Sequence, residues 1–173
     1  MRLSSRRLNT NQENSLVAFL VGDVRYAVPI GVVREIVLPM PLTILPHTPD
    51  GLAGVADHRN EVLPIVDLRM RFGVPPASAA SRKTKWILVT VEGRTFGLVV
   101  DDVLGVLRVS MEDFRPPPDL GAGARARAIA SVTAQDKLLV FVLDLAVLET
   151  TASMAPDSKR LEADSRPSRM EDA

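Results

Sequence analysis

The 173-residue chain contains no cysteine. Disulfides, thiolate metal sites and a cysteine nucleophile are thereby excluded. The absence also suits a reducing compartment. Aromatic residues are scarce, at one Trp, one Tyr and five Phe. A barrel that binds single-stranded nucleic acid stacks bases on exposed rings, and so few rings, most of them in apolar runs, supply no such platform. Neither charge is in excess: 21 Lys and Arg balance 21 Asp and Glu, whereas nucleic-acid binding calls for a basic surplus. Only two histidines are present, His47 and His58, too few for a histidine metal site with its supporting partners. His47 sits in the loop-like Leu-Pro-His-Thr-Pro and His58 follows Asp57 in a turn-like stretch, so both are expected at the surface. No apolar run approaches the roughly 18 residues of a membrane helix. The N-terminus carries Arg2, Arg6 and Arg7 with no apolar stretch behind them, unlike a secretory signal. These absences predict a cytoplasmic protein without direct membrane insertion, without cofactor and without metal. No nucleophile elbow or phosphate-cradling glycine loop is visible.

What is present is mostly β-like. Hydrophobic residues make up 46% of the chain, enough to build a core. Apolar runs at Ser15–Val21, Tyr26–Ile30, Glu61–Leu68, Trp86–Val91, Thr95–Val100 and Leu138–Leu145 read as strands, with turn signals at Gly22-Asp23 and Glu92-Gly93-Arg94. Pro29 predicts an edge or a strand end. Ile30, Val33, Ile36 and Val37 recur at helical spacing, which predicts a helical turn from Pro29 onward. Trp86, the one tryptophan, falls in an apolar run and reads as packed. Residues 1–14 form a polar arm. Residues 151–173 read as a mostly disordered tail, with a short helix at Ser158–Ala163 as its one element. The Pro/Ala/Ser stretch from Val74 to Ser81 and the Pro/Gly-rich stretch from Pro116 to Gly123 read as connectors.

The two halves repeat. Tyr26-Ala-Val-Pro-Ile-Gly-Val-Val aligns with Phe96-Gly-Leu-Val-Val-Asp-Asp-Val, 70 residues on, and Val62–Leu68 aligns with Leu139–Leu145, 77 residues on. The second copy thus carries seven additional residues, assigned to the 116–123 loop. Units of about 65 residues fit small five- or six-stranded barrels. The expected organisation is an arm (1–14), a first barrel (15–81), a second barrel (82–150) and the tail (151–173), with a groove between the barrels.

Acidic pairs raise two further possibilities. Asp67 and Asp144 close equivalent strands, as the two aspartates of an aspartic-protease dyad would. Such a dyad has a small hydroxyl residue and a glycine after each aspartate, but here Leu68-Arg69 and Leu145-Ala146 follow. The favoured reading is that each caps the next helix or turn. Asp101-Asp102, at a strand end, is read as a solvated pair and not as a cation site.

The residues then point to a family. Gly22-Asp-Val-Arg-Tyr26-Ala-Val-Pro-Ile30 with Val33-Arg-Glu35-Ile36, then Leu42–Pro49, Gly54–Arg59, Val62-Leu-Pro64-Ile-Val-Asp67-Leu-Arg69 and Phe96-Gly97-Leu-Val-Val-Asp101-Asp-Val103 resemble, in order, the chemotaxis coupling-protein (CheW-like) family. The resemblance spans about Leu16 to Leu148 and implies an all-β fold of two SH3-like β-barrel subdomains from an internal duplication, with short helical turns. It implies a non-catalytic adaptor that links the cytoplasmic tip of a chemoreceptor (methyl-accepting chemotaxis protein) to the regulatory domain of a chemotaxis histidine kinase, clustered with receptor arrays. By the same resemblance Val33, Glu35 and Ile36 face the kinase, and Gly54, Arg59, Gly97, Val103 and Val106 take part in receptor or kinase coupling. The alternatives are a receptor-binding spacer that ignores the kinase, or a barrel-type nucleic-acid or aspartic-protease-like module. The family's usual Asn-Leu-Arg-Gly is replaced here by Asp57-His58-Arg59-Asn60. The arginine is kept, and Asn stands where a left-handed backbone favours Gly. Glu35 and Arg59 are expected to pair beside the binding surface, with Asp57 as the competing acceptor.

Overall fold

Ser15–Val21 has no polar break after its first residue, because both of its faces are buried. Leu16 and Ala18 point into one core, while Val17, Phe19 and Val21 point into another. The computed structural model describes residues 15–79 and 81–155. Their strands are β1 (Ser15–Val21), β2 (Val24–Pro29), β3 (Val33–Val37), β4 (Leu52–His58), β5 (Glu61–Asp67), β6 (Lys85–Val91), β7 (Arg94–Val100), β8 (Asp102–Arg108), β9 (Ile129–Gln135) and β10 (Leu138–Leu143). The short helices are α1 (Leu68–Phe72), α2 (Ala124–Arg127) and α3 (Leu145–Ser153).

Two five-stranded sheets result, in the orders β8-β1-β2-β10-β9 and β3-β6-β7-β5-β4. Replacing each strand by its counterpart in the repeat converts one order into the other. The sheets, however, do not follow the halves of the chain. Hairpin β1–β2 leaves its own half to pair with β8 and, in parallel, with β10. Hairpin β6–β7 crosses the other way, onto β3 and β5. The expected division at residues 81 and 82 is therefore corrected: each barrel is built from one half's hairpin and three strands of the other half. Both hairpins have apolar residues on both faces, and in the exchanged arrangement each face is covered.

Three cores follow. Each sheet wraps a small one of its own, with Leu16, Ala27, Leu107 and Val140 in the first and Ala56, Leu63, Ile65, Trp86 and Leu88 in the second. Trp86 is buried, as expected. The largest core lies between the sheets and holds Phe19, Tyr26, Val66, Ile87, Phe96 and Leu98. Tyr26 is its centre: it stacks on Phe72 at 5.0 Å, and the Arg125 guanidinium lies 5.7 Å from the ring centroid.

The hairpin turns are two-residue loops whose backbones need positive φ. Arg59 and Asn60 take φ of 53° and 64°, and their counterparts Asp136 and Lys137 take 52° and 65°. Asn60 thus does hold the left-handed position. Each barrel is closed by a single bridge between the segment after its outer strand and the far edge. Thr43 exchanges both backbone hydrogen bonds with Val55, at 2.8 and 3.0 Å, and Arg115 does the same with Val132. The bridge also explains Pro64. Val55 spends its backbone groups on Thr43, so its partner Pro64 faces away from β4, just before the ladder with β7 begins at Ile65. The bridges place the extra residues too. Thr43 and Arg115 are 72 apart and Val55 and Val132 are 77 apart, so two of the seven precede Arg115, near a 3-10 turn at Met111–Asp113, and five follow it. The loop thus holds five, not all seven.

Asp67 and Asp144 have the capping role. Asp67 Oδ1 accepts from the amides of Arg69 and Met70, and Asp144 Oδ1 from those of Ala146 and Val147. The tail begins later than residue 151, because α3 runs to Ser153 with Thr151 and Ala152 buried. The 1–14 arm and the Ser158–Ala163 helix lie outside the described residues.

Gly54 allows the Thr43 closure. Its φ is +150°, and an added Cβ would stand 2.4 Å from the Thr43 carbonyl oxygen, a backbone atom held by the bridge. Gly54→Ala is expected to lower stability by about 2 kcal/mol or more, a fall in Tm of roughly 5 °C. Gly31→Ala, with nothing within 4 Å of its Cβ position, should leave Tm unchanged. Paired thermal melts check both.

Candidate functional site

The outer strands β3 and β8 carry five of the eight candidate residues. The helical turn expected from Pro29 covers only Ile30–Val32, as a 3-10 turn, and Val33–Val37 is strand. Hydrogen bonding to β6 overrides the helical spacing. On a regular strand Val33 and Ile36 would face opposite ways. A bulge intervenes: Val33 lies opposite Val89 and Glu35 opposite Leu88, leaving Arg34 as the extra residue. Ile36 then lies opposite Ile87, so Val33 and Ile36 share the side of the inter-sheet core. Strand β8 repeats this, with Leu104 extra, Val103 opposite Phe19 and Val106 opposite Val17. In each pair the first valine packs against the core and the second aliphatic is exposed, Ile36 at 41% and Val106 at 58%.

Glu35 uses the other face of β3. Its Oε1 accepts from Arg59 Nη2 at 2.9 Å, and its Oε2 lies 3.1 Å from His58 Nε2. The expected Glu35–Arg59 pair therefore forms. Asp57 does not compete, because its Oδ1 accepts from the Asn60 amide and closes the turn. His58 was expected at the surface and is buried. It shares the inward side of β4 with Ala56, two residues before it, and its polar edge meets the Glu35 carboxylate. The arrangement is particular to one half, since the counterpart of Glu35 is Gly105.

Gly54 and Gly97 offer no side chain to a partner, and both are buried. A Cβ at Gly97 would stand 2.7 Å from Ile65 Cδ1 and 3.3 Å from Leu88 Cδ2, so this glycine makes room for the core of its sheet.

Asp101 was read as solvated and is bound on several sides. Its Oδ2 accepts from the Gly22 amide at 2.6 Å. Arg69 Nε donates to Oδ1 at 2.8 Å and to Oδ2 at 3.0 Å, and Arg69 Nη1 donates to the Pro75 carbonyl. The hydrogen bond to Asp101 raises the Arg69 guanidinium pKa above its ordinary value, against the opposing effect of burial. Sequence reasoning missed this pair. The available signal was a difference between the copies, since Asp101 stands where the first half has Gly31.

A second tie joins the other hairpin to α3. Arg94 Nη1 donates to Glu149 Oε1 at 3.0 Å and to Ser153 Oγ at 2.7 Å. A hydrogen bond from Ser153, helped by Arg94, holds the Glu149 carboxyl below the usual range. A cleft of about 600 Å³ opens beside it, lined by Val62, Pro64, Arg94 and Phe96 among others, and none of the eight candidates borders it. Among the described residues no group of three His, Cys, Asp or Glu side chains is placed to hold a metal ion, and no helix is long and apolar enough to cross a membrane.

A duplicated framework whose two outer strands each expose one aliphatic side chain at an equivalent place has the make-up of a protein-binding module. Comparison with known proteins gives the particular kind: the CheW-like domain matches residues 15–152, and the chain belongs to that family. It is 35% identical to the probable chemotaxis protein CheW of Rhizobium etli and 37% identical to the chemotaxis protein CheW of Rhizobium meliloti, each over 79% of this chain and 87% of the relative. It is 38% identical to the protein FrzA of Myxococcus xanthus, over 69% of this chain and 74% of the relative. The fold matches the crystal structure of the scaffolding protein TtCheW from Thermoanaerobacter tengcongensis, with a TM-score of 0.70 and 23% identity over 84% of this chain and 90% of that one. The chain is thus a chemotaxis adaptor with the two-subdomain β fold of its family.

The Glu35–Arg59 pair is exposed on its arginine side and contributes only about 0–1 kcal/mol to stability. Arg59→Glu should weaken partner binding with Tm nearly constant, Glu35→Lys should weaken it with some fall in Tm because the buried His58 loses its carboxylate partner, and the double reversal should recover part of the binding loss. Strictly additive losses in this cycle would show that the pair does not act as a unit.

Proposed function

We propose that the chain couples the cytoplasmic tip of a chemoreceptor to the regulatory domain of a histidine kinase, with β3 as the kinase edge and β8 as the receptor edge. The observation that carries this reading is the matched pair of exposed aliphatics, Ile36 and Val106, at equivalent places on the two outer strands. Exposed apolar side chains on a rigid edge are suitable interface anchors, and truncating such an anchor costs more than about 1 kcal/mol of binding. The flanking charge differs between the edges, with Glu35 and Arg59 beside Ile36 and Gly105 in the Glu35 position beside Val106. That difference supports two distinct partners. Gly54 and Gly97 affect coupling through the shape of the β3-containing barrel, and the adaptor works in the cytoplasm, where receptor tips and kinase meet.

The test is a pair of charge insertions at the exposed positions. Ile36→Asp should weaken binding of the kinase regulatory domain about tenfold, and Val106→Asp should weaken binding of a receptor-tip fragment by a similar factor. Both variants should fold, because these side chains contribute little to the core. Titration calorimetry with each partner, alongside circular dichroism, checks the outcome. Normal binding by two folded variants would remove both edges from the interface.

A further inference from the structure

Asp101 occupies the point where the chain passes from one sheet to the other. It follows β7, the middle strand of one sheet, and precedes β8, the outer strand of the other. Its amide donates to the Leu20 carbonyl of β1 at 2.9 Å, and its carboxylate holds the Gly22 amide at the tip of the β1–β2 hairpin. Arg69 reaches the same carboxylate from α1, the helix capped by Asp67 at the end of β5. Four pieces of chain meet there: the hairpin tip of one sheet, the crossover, the helix that follows the other sheet, and Pro75 at the start of the connector. Both side chains are partly buried, whereas in the tie of Arg94 to Glu149 the arginine side is exposed, so solvent screens the Arg69–Asp101 pair less.

The repeat has no counterpart to this junction. Gly31 stands at the position of Asp101 and Ala146 at that of Arg69, and nothing lies within 4 Å of where a Gly31 side chain would begin. The two outer strands are alike in bulge and in aliphatic pair, yet only β8 is clamped at its entrance. Val103 is two residues beyond the clamp and Val106 five.

We propose that Arg69 and Asp101 are positioning residues for partner binding: they lock the β7–β8 crossover and set where Val103 and Val106 stand relative to the opposite sheet. They touch no partner themselves. The clamp makes two edges of common origin unequal: the receptor edge is fixed at its entrance, whereas the kinase edge is tied along its length by Arg34 to Glu61 and by Glu35 to Arg59 and His58. The partner assignment rests on the reading of β8 as the receptor edge.

The experiment uses the full chain with Asp101→Asn, Arg69→Met, the double variant, Arg69→Lys as the conservative change, and Arg94→Met as the control at the exposed tie. Affinity is measured for a chemoreceptor tip fragment and for a kinase regulatory domain, and methyl NMR shifts are followed at Val33, Ile36, Val103 and Val106. Asp101→Asn and Arg69→Met should each weaken receptor-fragment binding about tenfold and kinase binding less than about twofold, with the double variant no worse than either single one. Arg69→Lys should recover part of the loss, and Arg94→Met should change neither affinity. The methyls of Val103 and Val106 should shift while those of Val33 and Ile36 stay. Equal weakening toward both partners in proportion to lost thermal stability, or additive losses in the double variant, would overturn the proposal. If the unaltered chain binds no receptor fragment, the receptor reading fails by itself, and the methyl shifts decide the clamp: unmoved Val103 and Val106 would overturn it. If Arg69→Met does not fold, Arg69→Lys and Asp101→Asn carry the same comparison.

Discussion

Hairpins β1–β2 and β6–β7 have no apolar-free face to turn to solvent. Along β1, Leu16 and Ala18 need one core while Val17, Phe19 and Val21 need another, and along β6 Trp86 and Leu88 oppose Ile87 and Val89 in the same way. A hairpin of this kind must lie in the middle of a sheet with a layer on each side. Each therefore becomes the centre of a barrel wall, with that barrel's small core behind it and the other barrel in front. The large inter-sheet core is the shared consequence, and Tyr26, Phe96, Val66 and Leu98 meet there.

The exchange of hairpins between the halves makes the two barrels inseparable. Pulling the two halves of the chain apart would expose the inter-sheet core and also break the parallel ladders β2–β10 and β5–β7, each of which joins strands from different halves. A unit of about 65 residues buries too little surface to be robust alone. Here neither half even retains a complete sheet. The halves interlock for that reason, which ties the two binding edges to one framework.

Duplication supplied two similar edges, and later differences made them distinct. Bulges at Arg34 and Leu104 turn an aliphatic pair toward the same side in both copies. Around these pairs the copies diverge. One edge has the Glu35 carboxylate held between Arg59 and His58. The other begins at the Arg69–Asp101 clamp. An adaptor that joins unlike partners needs this inequality, and it is carried by a few charged side chains on a nearly symmetric backbone.

The strands legible in the sequence are the inner ones: β1, β2, β5, β6, β7 and β10. Buried on both faces over most of their length, they are largely continuous apolar runs, and burial dictates composition directly. The four edge strands, β3, β4, β8 and β9, were not read as strands. Each has an exposed side, and each pairing contains a register shift that breaks the alternation. The repeat, the capping by Asp67 and Asp144, the left-handed Asn60 and the Glu35–Arg59 pair were also legible, as local chemistry or through family motifs. Which half's hairpin joins which sheet, the burial of His58 and the clamp on Asp101 were not. Those depend on residues from 23 to 115 positions apart, and one-dimensional order carries no record of which distant apolar faces cover each other. Composition and periodicity thus determined the inner strands and the duplication, while the exchanged pairing and the ion pairs that distinguish the two edges were decided only when the faces packed.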